Sequence, residues 1–439
     1  MMTRGRVVHG VHAMLVAVVT AAASGAAAAE TLQDAWQQAI SRDNVLAAAS
    51  SDVEGARASE QAARGARWPS VQASAGYTRL NASPSLDVAI PGGSRFRSGP
   101  IFKGDEYVAG SVQMKIPLYA GGQISAGIDA AHHVFVGATE DQQATISALK
   151  LDVAEAYVSV LRARRALHAA ESSVTSLSAH SGDVQHLVDR ELVPRSDALA
   201  AHVALANAEQ VRVRAENSVE ITQAQYNRRL GEPLGRAPEL DDRIPVDASL
   251  STQPIEALLR QALASRSELK GLAARADSLT SQSRAEAGKL RPQLALTGGY
   301  THFDNQILDR QDFSMVGIGV TWNLFDGGQA RNRAAALRSA SRATHSRLDD
   351  LRTSIELEVR QSWLDVHEAQ ARVKASSEAV AQAQENLRMT RELYGAGLGT
   401  NTQVLDAVTL QIGAVNNHDN AVLDESLSLL RVARAVGAL

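Results

Sequence analysis

The chain contains twelve histidines and no cysteine, so a transition-metal or acid–base site would depend mainly on histidine. Three groupings are candidates: His132-His133, His180 with His186, and His367-Glu368. None has the spacing of metal ligands with partner carboxylates or of a zinc-binding helix. Solvated helix positions explain these histidines better than a metal site does.

Two pairs of glycines, Gly121-Gly122 and Gly327-Gly328, follow a predicted strand and precede a predicted helix, as a phosphate-binding loop would. No Lys-Ser/Thr pair and no third glycine completes that motif, so tight strand-to-helix turns explain them better. The lack of cysteine excludes a thiolate metal site and a cysteine nucleophile. The sequence also shows no serine elbow and no convincing carboxylate pair. It therefore predicts no catalytic residue, no metal, no cofactor and no enzyme.

Charge and composition exclude further classes of protein. The 439 residues include 44 Lys+Arg and 48 Asp+Glu, a net charge of −4, and 45% are apolar. A nucleic-acid-binding protein normally has a basic stripe, and a disordered chain has fewer apolar residues. Only 4% of the residues are aromatic. This low share, with abundant alanine, indicates helices that pack closely along their length.

Residues 1–29 have the pattern of an export signal. Arg4 and Arg6 precede the apolar run 11–23, and Ala27-Ala28-Ala29 before Glu30 fits cleavage after small residues. The run is short for a spanning helix, which needs about 20 residues, and no later apolar segment is long enough either. The mature chain is therefore expected to be a soluble periplasmic protein, a secreted protein or an outer-membrane β-barrel.

The mature chain is an internal duplication. A shift of 223 residues aligns Gly76-Tyr77-Thr78 with Gly299-Tyr300-Thr301, and a shift of 206 aligns Gly121-Gly122-Gln123 with Gly327-Gly328-Gln329. The difference of 17 falls between residues 80 and 107, in a Pro/Gly-rich stretch typical of a surface loop.

Each half has the same order of elements: a helical segment, two alternating strands, a long helix and a shorter helix. Repeat 1 is predicted over residues 30–231, with helical segment 31–66, β-hairpin 68–119, long helix 123–190 and helix 196–230. Repeat 2 is predicted over residues 255–439, with helical segment 255–289, β-hairpin 291–325, long helix 329–394 and helix 402–436. The proline-rich linker 232–254 joins the repeats.

Apolar and small residues recur in alternating steps of three and four along both long helices, which is typical of a coiled-coil seam. The first seam comprises Ile146, Leu149, Val153, Ala156, Val160, Ala163, Leu167, Ala170, Val174 and Leu177. The second comprises Ile355, Val359, Ser362, Val366, Ala369, Val373, Ser376, Val380, Ala383 and Leu387. A helix over residues 123–190 is about 100 Å long, so two shorter helices can stack end to end beside it.

The strands alternate between an apolar and a polar face. The predicted apolar face comprises Val108, Val112, Met114, Ile116, Val316, Ile318, Val320 and Trp322, and the polar face comprises Ser111, Gln113, Lys115, Thr321 and Asn323. Closed barrels need at least about eight strands, so four strands per chain must be completed by other copies. A soluble sandwich needs no oligomer, but two hairpins between long helices have too little sheet to form their own core.

With these features the sequence resembles the TolC-like outer membrane efflux proteins over nearly the whole mature chain. The most specific motifs are Tyr394-x-x-Gly397 and Val404-Leu405-Asp406-Ala407, beside the duplication and the Gly-Gly-Gln of each half. The resemblance implies an α+β membrane protein with two internal repeats. In that fold a trimeric 12-stranded β-barrel, four strands per chain, continues into a long α-helical coiled-coil periplasmic barrel. It also implies an exit duct in outer membrane lipid that works with a periplasmic adaptor (membrane fusion) protein and an inner-membrane transporter.

The resemblance further implies that the tunnel closes at its periplasmic tip, where acidic residues narrow the aperture. Asp406 matches one of these acidic residues, and Gln403 stands at the position of the other, so the ring of charge is expected to be thinner. Asp197 and Tyr394 match a linked pair at the tip, while Gly399 replaces an arginine of the family's lock. Asp197 also fits a helix N-terminus, and Tyr394 also fits a seam position.

The turns at the tip are the expected contacts of the adaptor. In the second half this turn contains Gly397 and Leu398, and in the first half it contains Leu192 and Val193, with Glu191 in place of the glycine. One other function stays open on the sequence alone, a non-transporting periplasmic or cell-surface coiled-coil scaffold whose hairpins only mediate assembly. The cargo of a duct is not predicted, because selectivity in such systems resides largely in the pump.

Overall fold

A computed structural model describes residues 29–439, so the predicted export signal lies outside the described residues except for its last position. The described part of the chain consists mainly of long helices and a small antiparallel sheet. In chain order the elements are α1 (Leu32–Arg42), α2 (Asn44–Gly65), β1 (Ser70–Arg79), β2 (Ser85–Ala89), β3 (Arg95–Pro100), β4 (Glu106–Tyr119), α3 (Gln123–Asp189), α4 (Arg195–Leu230), α5 (Ser249–Thr252), α6 (Ile255–Ser265), α7 (Ser267–Gly288), β5 (Gln293–Phe303), β6 (Asp312–Thr321), α8 (Gln329–Gly395) and α9 (Asn401–Ala435).

The long helices α3 and α8 have 67 residues each. At 1.5 Å per residue each is about 100 Å long. The glycine pairs at their start form tight turns, as the sequence predicts. Gly121 and Gly122 have φ of 62° and 85°, and a Cβ on Gly121 would lie 2.5 Å from the carbonyl oxygen of Gly288. Only glycine fits at position 121, and the positive φ of the equivalent Gly327 and Gly328 likewise favours glycine.

All twenty predicted seam positions of α3 and α8 are buried or half-buried, which confirms the heptad pattern. Because alanine and serine occupy several of these positions, the neighbouring helices pack at short distance.

The helical segment that opens each half is interrupted, so the prediction of one continuous helix there was wrong. The first breaks at Asp43, whose extended backbone (φ −69°, ψ 125°) ends α1 and whose carboxylate accepts a hydrogen bond from the backbone N–H of Leu46 at 2.8 Å. The second breaks at Arg266 (φ −60°, ψ 119°), 223 residues later. An N-cap aspartate and a buried arginine stabilise these breaks, which apolar periodicity does not indicate.

The linker between the halves packs against the helices. Its residues Leu240 and Leu250 are buried, and Glu30 forms a parallel β-bridge with Leu240. The Tyr157 hydroxyl lies 2.8 Å from the carbonyl oxygen of Glu30 and 2.7 Å from that of Asp241. Glu30, α3 and the linker are thereby fixed in one core.

The main sheet has the order β1-β4-β5-β6, and all its pairs are antiparallel. Its register places Val71, Met114, Gly298 and Val316 in one row, and Ser70, Lys115, Thr297 and Gly317 in the next. Paired residues of an antiparallel sheet share a face, so the predicted apolar and polar faces are confirmed for the residues within β4 and β6. Trp322 and Asn323 follow the end of β6 and lie outside this register.

The predicted hairpin 68–119 contains four strands rather than two. Two belong to the main sheet, and β2 and β3 form a separate antiparallel hairpin within the Pro/Gly-rich stretch. Between residues 29 and 439 no helix has the length and apolar character needed to cross a membrane.

Candidate functional site

The end of the helices farthest from the sheet contains the predicted site residues. There α3 turns into α4 by a Schellman motif, in which the N–H of Glu191 donates to the carbonyl of Val188 at 2.8 Å and that of Leu192 donates to Leu187 at 2.9 Å. Glu191 has φ of 59° and is the one non-glycine residue in the left-handed region among those described. The motif requires this conformation whichever residue occupies the position.

The turn from α8 to α9 has the same geometry. The N–H of Gly397 donates to Tyr394 at 3.0 Å, that of Leu398 donates to Leu393 at 2.9 Å, and Gly397 has φ of 74°. In each turn the residue after the left-handed position is an exposed leucine. Leu192 is 66% exposed and Leu398 is 78% exposed. Each coiled coil therefore ends in an accessible leucine.

Glu191→Gly is expected to stabilise the protein, because glycine adopts the left-handed conformation without the Cβ clash that glutamate has. We expect a gain of about 0.5–1 kcal/mol per chain after the larger unfolded-state entropy of glycine is included. Thermal melting followed by circular dichroism measures it. The matched control, Gly397→Ala, should lower the melting temperature through backbone strain alone, since no atom lies within 4 Å of the added Cβ. A lower melting temperature for Glu191→Gly would show that the Glu191 side chain has a stabilising contact.

A buried apolar cluster joins the two coiled coils behind the turns: Val184, Ala198, Ala201, Tyr394 and Val404, with Val193 partly buried against it. Tyr394 is 8% exposed, and its buried hydroxyl has no hydrogen-bond partner within residues 29–439. Burial and, to a smaller extent, the negative charge of Asp197 raise the pKa of Tyr394. The tyrosine is thus a neutral, unpaired hydroxyl at the tip.

No hydrogen bond joins Asp197 to Tyr394 in the described part of the chain. Asp197 instead bonds to α9 through its backbone: its carbonyl accepts a hydrogen bond from Asn401 Nδ2 at 3.0 Å. Asn401 Oδ1 in turn accepts one from His180 Nε2 at 2.7 Å, and both side chains are buried. This polar link connects α3, α4 and α9.

Sequence reasoning missed this link, and the expectation of a solvated position was wrong for His180. Its ring lies beside Tyr394, with ring centroids 5.6 Å apart. The only signal in the sequence was that position 180 follows the seam residue Leu177 by three, which is the step of the heptad.

The two predicted aperture residues on α9 differ in their surroundings. Gln403 forms a capping box with Thr400: its Oε1 accepts from the Thr400 N–H at 2.8 Å, while the Thr400 hydroxyl accepts from the Gln403 N–H at 3.3 Å. Asp406 is exposed, one turn further along α9. Gln403 therefore stabilises the start of α9, and Asp406 provides an exposed carboxylate near the tip.

The sequence profile of a family described as outer membrane efflux protein matches residues 35–232 and 258–438. Together these segments cover most of the chain. The chain belongs to the outer membrane efflux protein family. The resemblance seen in the sequence is thereby confirmed.

Relatives and solved structures agree with this membership. The chain is 25% identical over 428 residues to the outer membrane protein TolC of Vibrio cholerae, covering 95% of this chain and 92% of TolC. It is 25% identical over 303 residues to the alkaline protease secretion protein AprF of Pseudomonas aeruginosa, covering 66% of this chain and 62% of AprF.

The fold is that of outer-membrane channels of known structure. OprN matches with a TM-score of 0.78 at 18% identity, covering 93% of this chain and 90% of OprN. VceC from Vibrio cholerae matches with a TM-score of 0.78 at 17% identity, covering 92% of this chain and 96% of VceC.

As an outer membrane efflux protein, the chain is an exit duct for efflux or secretion across the outer membrane. The sheet is therefore its membrane part, and the long helices extend into the periplasm. Of the two functions that the sequence left open, the family excludes the non-transporting scaffold.

Proposed function

We propose that three copies of this efflux protein assemble into one duct, each contributing four strands to a 12-stranded barrel. The observation that carries this proposal is a four-stranded sheet whose edge strands β1 and β6 have no further partner within residues 29–439. Open sheet edges do not persist in lipid, and a closed barrel needs at least about eight strands. Further copies therefore have to supply the missing neighbours.

The dimensions of the sheet support a membrane-spanning role. Ten residues of β1 at about 3.3 Å each, tilted by about 40°, rise by about 25 Å, which is the height of the apolar band of an outer-membrane barrel. Exposed aromatic and apolar side chains surround the end of the sheet nearest the helices: Trp68, Tyr119, Trp322, Leu324 and Phe325. Aromatic girdles of this kind mark the membrane–water interface of such barrels.

The mass of the detergent-extracted protein tests this proposal. The protein is extracted from an outer-membrane fraction, and light scattering measures its mass after subtraction of the detergent. We expect three times the mass of the mature chain. A monomer would refute the shared barrel, because four strands are too few to close. A dimer would refute the 12-stranded barrel, because it provides eight strands.

We further propose that the helical tip is both the gate of the duct and its contact with other proteins. The turns with the exposed Leu192 and Leu398 suit a periplasmic adaptor protein, which would connect the duct to an inner-membrane transporter. Val193 and Gly397 set the shape of these turns. Asp406, Gln403, Asp197 and Tyr394 surround the proposed aperture, with Asp406 as its charged group. The proposed partners include no nucleic acid.

Asp406→Asn is expected to lower the preference of the duct for cations. In a trimer three Asp406 carboxylates would ring the aperture, and a ring of acidic side chains favours cations. The ratio of cation to anion permeability, measured in planar bilayers under a salt gradient, should fall by about two-fold or more.

Asp365→Asn is the matched control, because it removes the same charge from an exposed site on α8 about 45 Å from the tip. It should leave the permeability ratio unchanged. Equal changes in the two variants would argue against a constriction at Asp406.

A further inference from the structure

The β2–β3 hairpin is amphipathic, and its apolar face has no partner among residues 29–439. Its register pairs Val88 with Phe96 and Asp87 with Arg97, so these pairs lie on opposite faces. The apolar face consists of four side chains that are 46–60% exposed: Leu86, Val88, Ile90 and Phe96. An isolated two-stranded hairpin is marginally stable in water, and an exposed apolar face of this kind marks a contact surface.

The root of the hairpin, residues 80–84 and 101–105, is attached to the polar face of the main sheet. Phe102 is the second residue after β3, is buried, and stacks on Tyr107 with ring centroids 4.3 Å apart. It also meets the edge of Phe303 at 5.7 Å. Tyr107 pairs with Thr78 and Phe303 pairs with Ala109, so both aromatic rings are on the polar face.

Hydrogen bonds close this root between Ser83 and Phe102 and hold it to the loop between β5 and β6. The N–H of Gln306 donates to the carbonyl of Ile101 at 2.8 Å, and the N–H of Phe102 donates to the Ser83 hydroxyl at 3.1 Å. Asn305, which is buried, donates to the Phe303 carbonyl at 2.7 Å. The hairpin therefore begins from a fixed base at the end of the sheet opposite the periplasmic helices.

This base determines what can cover the apolar face of the hairpin. The apolar face of the sheet points to lipid, so the polar face that binds Phe102 points to the lumen. A hairpin that starts on the luminal side is separated from lipid by the sheet itself. In a trimer, the hairpins of the other two copies start on the same luminal side and present the same apolar face.

We propose that the three β2–β3 hairpins of a trimer meet through these apolar faces and form a lid over the outer mouth of the barrel. The proposal rests on the trimer proposed above. The charged face, with Arg95, Arg97 and Asp87, remains in water, and exported cargo has to separate the hairpins to leave. Only the first half of the chain has this insertion, so each copy contributes one hairpin.

Engineered cysteines test the lid, because the natural chain contains none. Val88→Cys places a thiol on the apolar face of the hairpin, and Ala89→Cys, at the next position, places one on the charged face. Both sites are exposed, so both variants should fold. After mild oxidation of the detergent-extracted protein, we expect Cys at position 88 to give covalent dimers in most of the protein, beside an unlinked third copy. Cys at position 89 should give at least ten-fold less, and dilution should not change either yield.

Light scattering of the same samples separates the lid from the trimer. A trimer in which position 88 does not cross-link, or in which both positions cross-link equally, would overturn the lid and leave the trimer intact. A trimer whose cysteine at position 88 reacts only with a lipid-soluble maleimide would place the hairpin in lipid and also overturn the lid. A monomer would overturn both proposals, since the lid needs three copies. Conductance is a poorer test, because a closed periplasmic tip would hide an opened outer mouth.

Discussion

Val112→Arg is expected to remove the protein almost completely from the outer membrane, whereas Gln113→Arg, at the next position of β4, should leave it there. Val112 lies in the middle of β4 on the apolar face, opposite Ala73 and Tyr300. An arginine facing lipid near the midplane of a barrel costs about 2–4 kcal/mol, which amounts to about 6–12 kcal/mol in a trimer with three copies. This is comparable to the whole stability of many folded proteins.

Gln113 makes a close control, since it receives the same substitution on the same strand. Its side chain is on the polar face, which already carries Lys115 two residues later. The measurement is the amount of protein extracted by detergent from purified outer membranes, compared with the total amount by immunoblot. Equal loss of both variants would mean that the two faces do not separate lipid from water.

The faces of the sheet and the seams of the long helices could be predicted because each follows from a simple period. Alternation at period two determines which side of β4 is apolar, and steps of three and four determine which side of α3 is buried. The breaks at Asp43 and Arg266 do not follow from any period. They depend on hydrogen bonds of single polar residues, which apolar patterns do not report.

At the tip, internal alignment located the turns but not the contacts. The equivalence of Glu191 and Gly397 follows from the shift of 206 residues, and both positions have left-handed backbones. The link between His180 and Asn401 joins residues 221 apart, so no local pattern contains it. The β2–β3 hairpin was missed for a similar reason, because its Pro/Gly-rich composition is typical of a loop.

Arg266→Met is the second substitution with a large expected effect, and it concerns stability. The Arg266 side chain is only 6% exposed and donates hydrogen bonds to Glu358 at 3.0 and 3.1 Å and to Glu268 at 3.0 and 3.2 Å. It also donates to the carbonyl of Ala435 at 3.1 Å, at the end of α9. Removing one member of a buried ion cluster leaves its partners without compensation, so we expect a loss of about 3 kcal/mol per chain.

The matched control is Arg388→Met, because Arg388 also pairs with two glutamates, Glu385 and Glu392, but on the exposed surface of α8. Thermal melting of the detergent-solubilised protein should show a clear decrease for Arg266→Met and little change for Arg388→Met, since exposed ion pairs contribute little. Similar melting temperatures for the two variants would mean that burial does not strengthen the Arg266 cluster.

The stability difference between the natural protein and Arg266→Met should also depend on pH. Burial would raise the pKa of Glu358, but the hydrogen bonds and charges of Arg266 and Arg434 outweigh it and lower this pKa below 4.5. A carboxyl group whose pKa is lower in the folded state stabilises the fold above its unfolded pKa and loses this contribution as the pH falls through the folded value. The two melting curves should therefore be well separated at pH 7 and approach each other below about pH 4.5. A separation that stays constant down to pH 3 would show that Arg266 stabilises the fold mainly through the carbonyl groups at the end of α9, rather than through its glutamates.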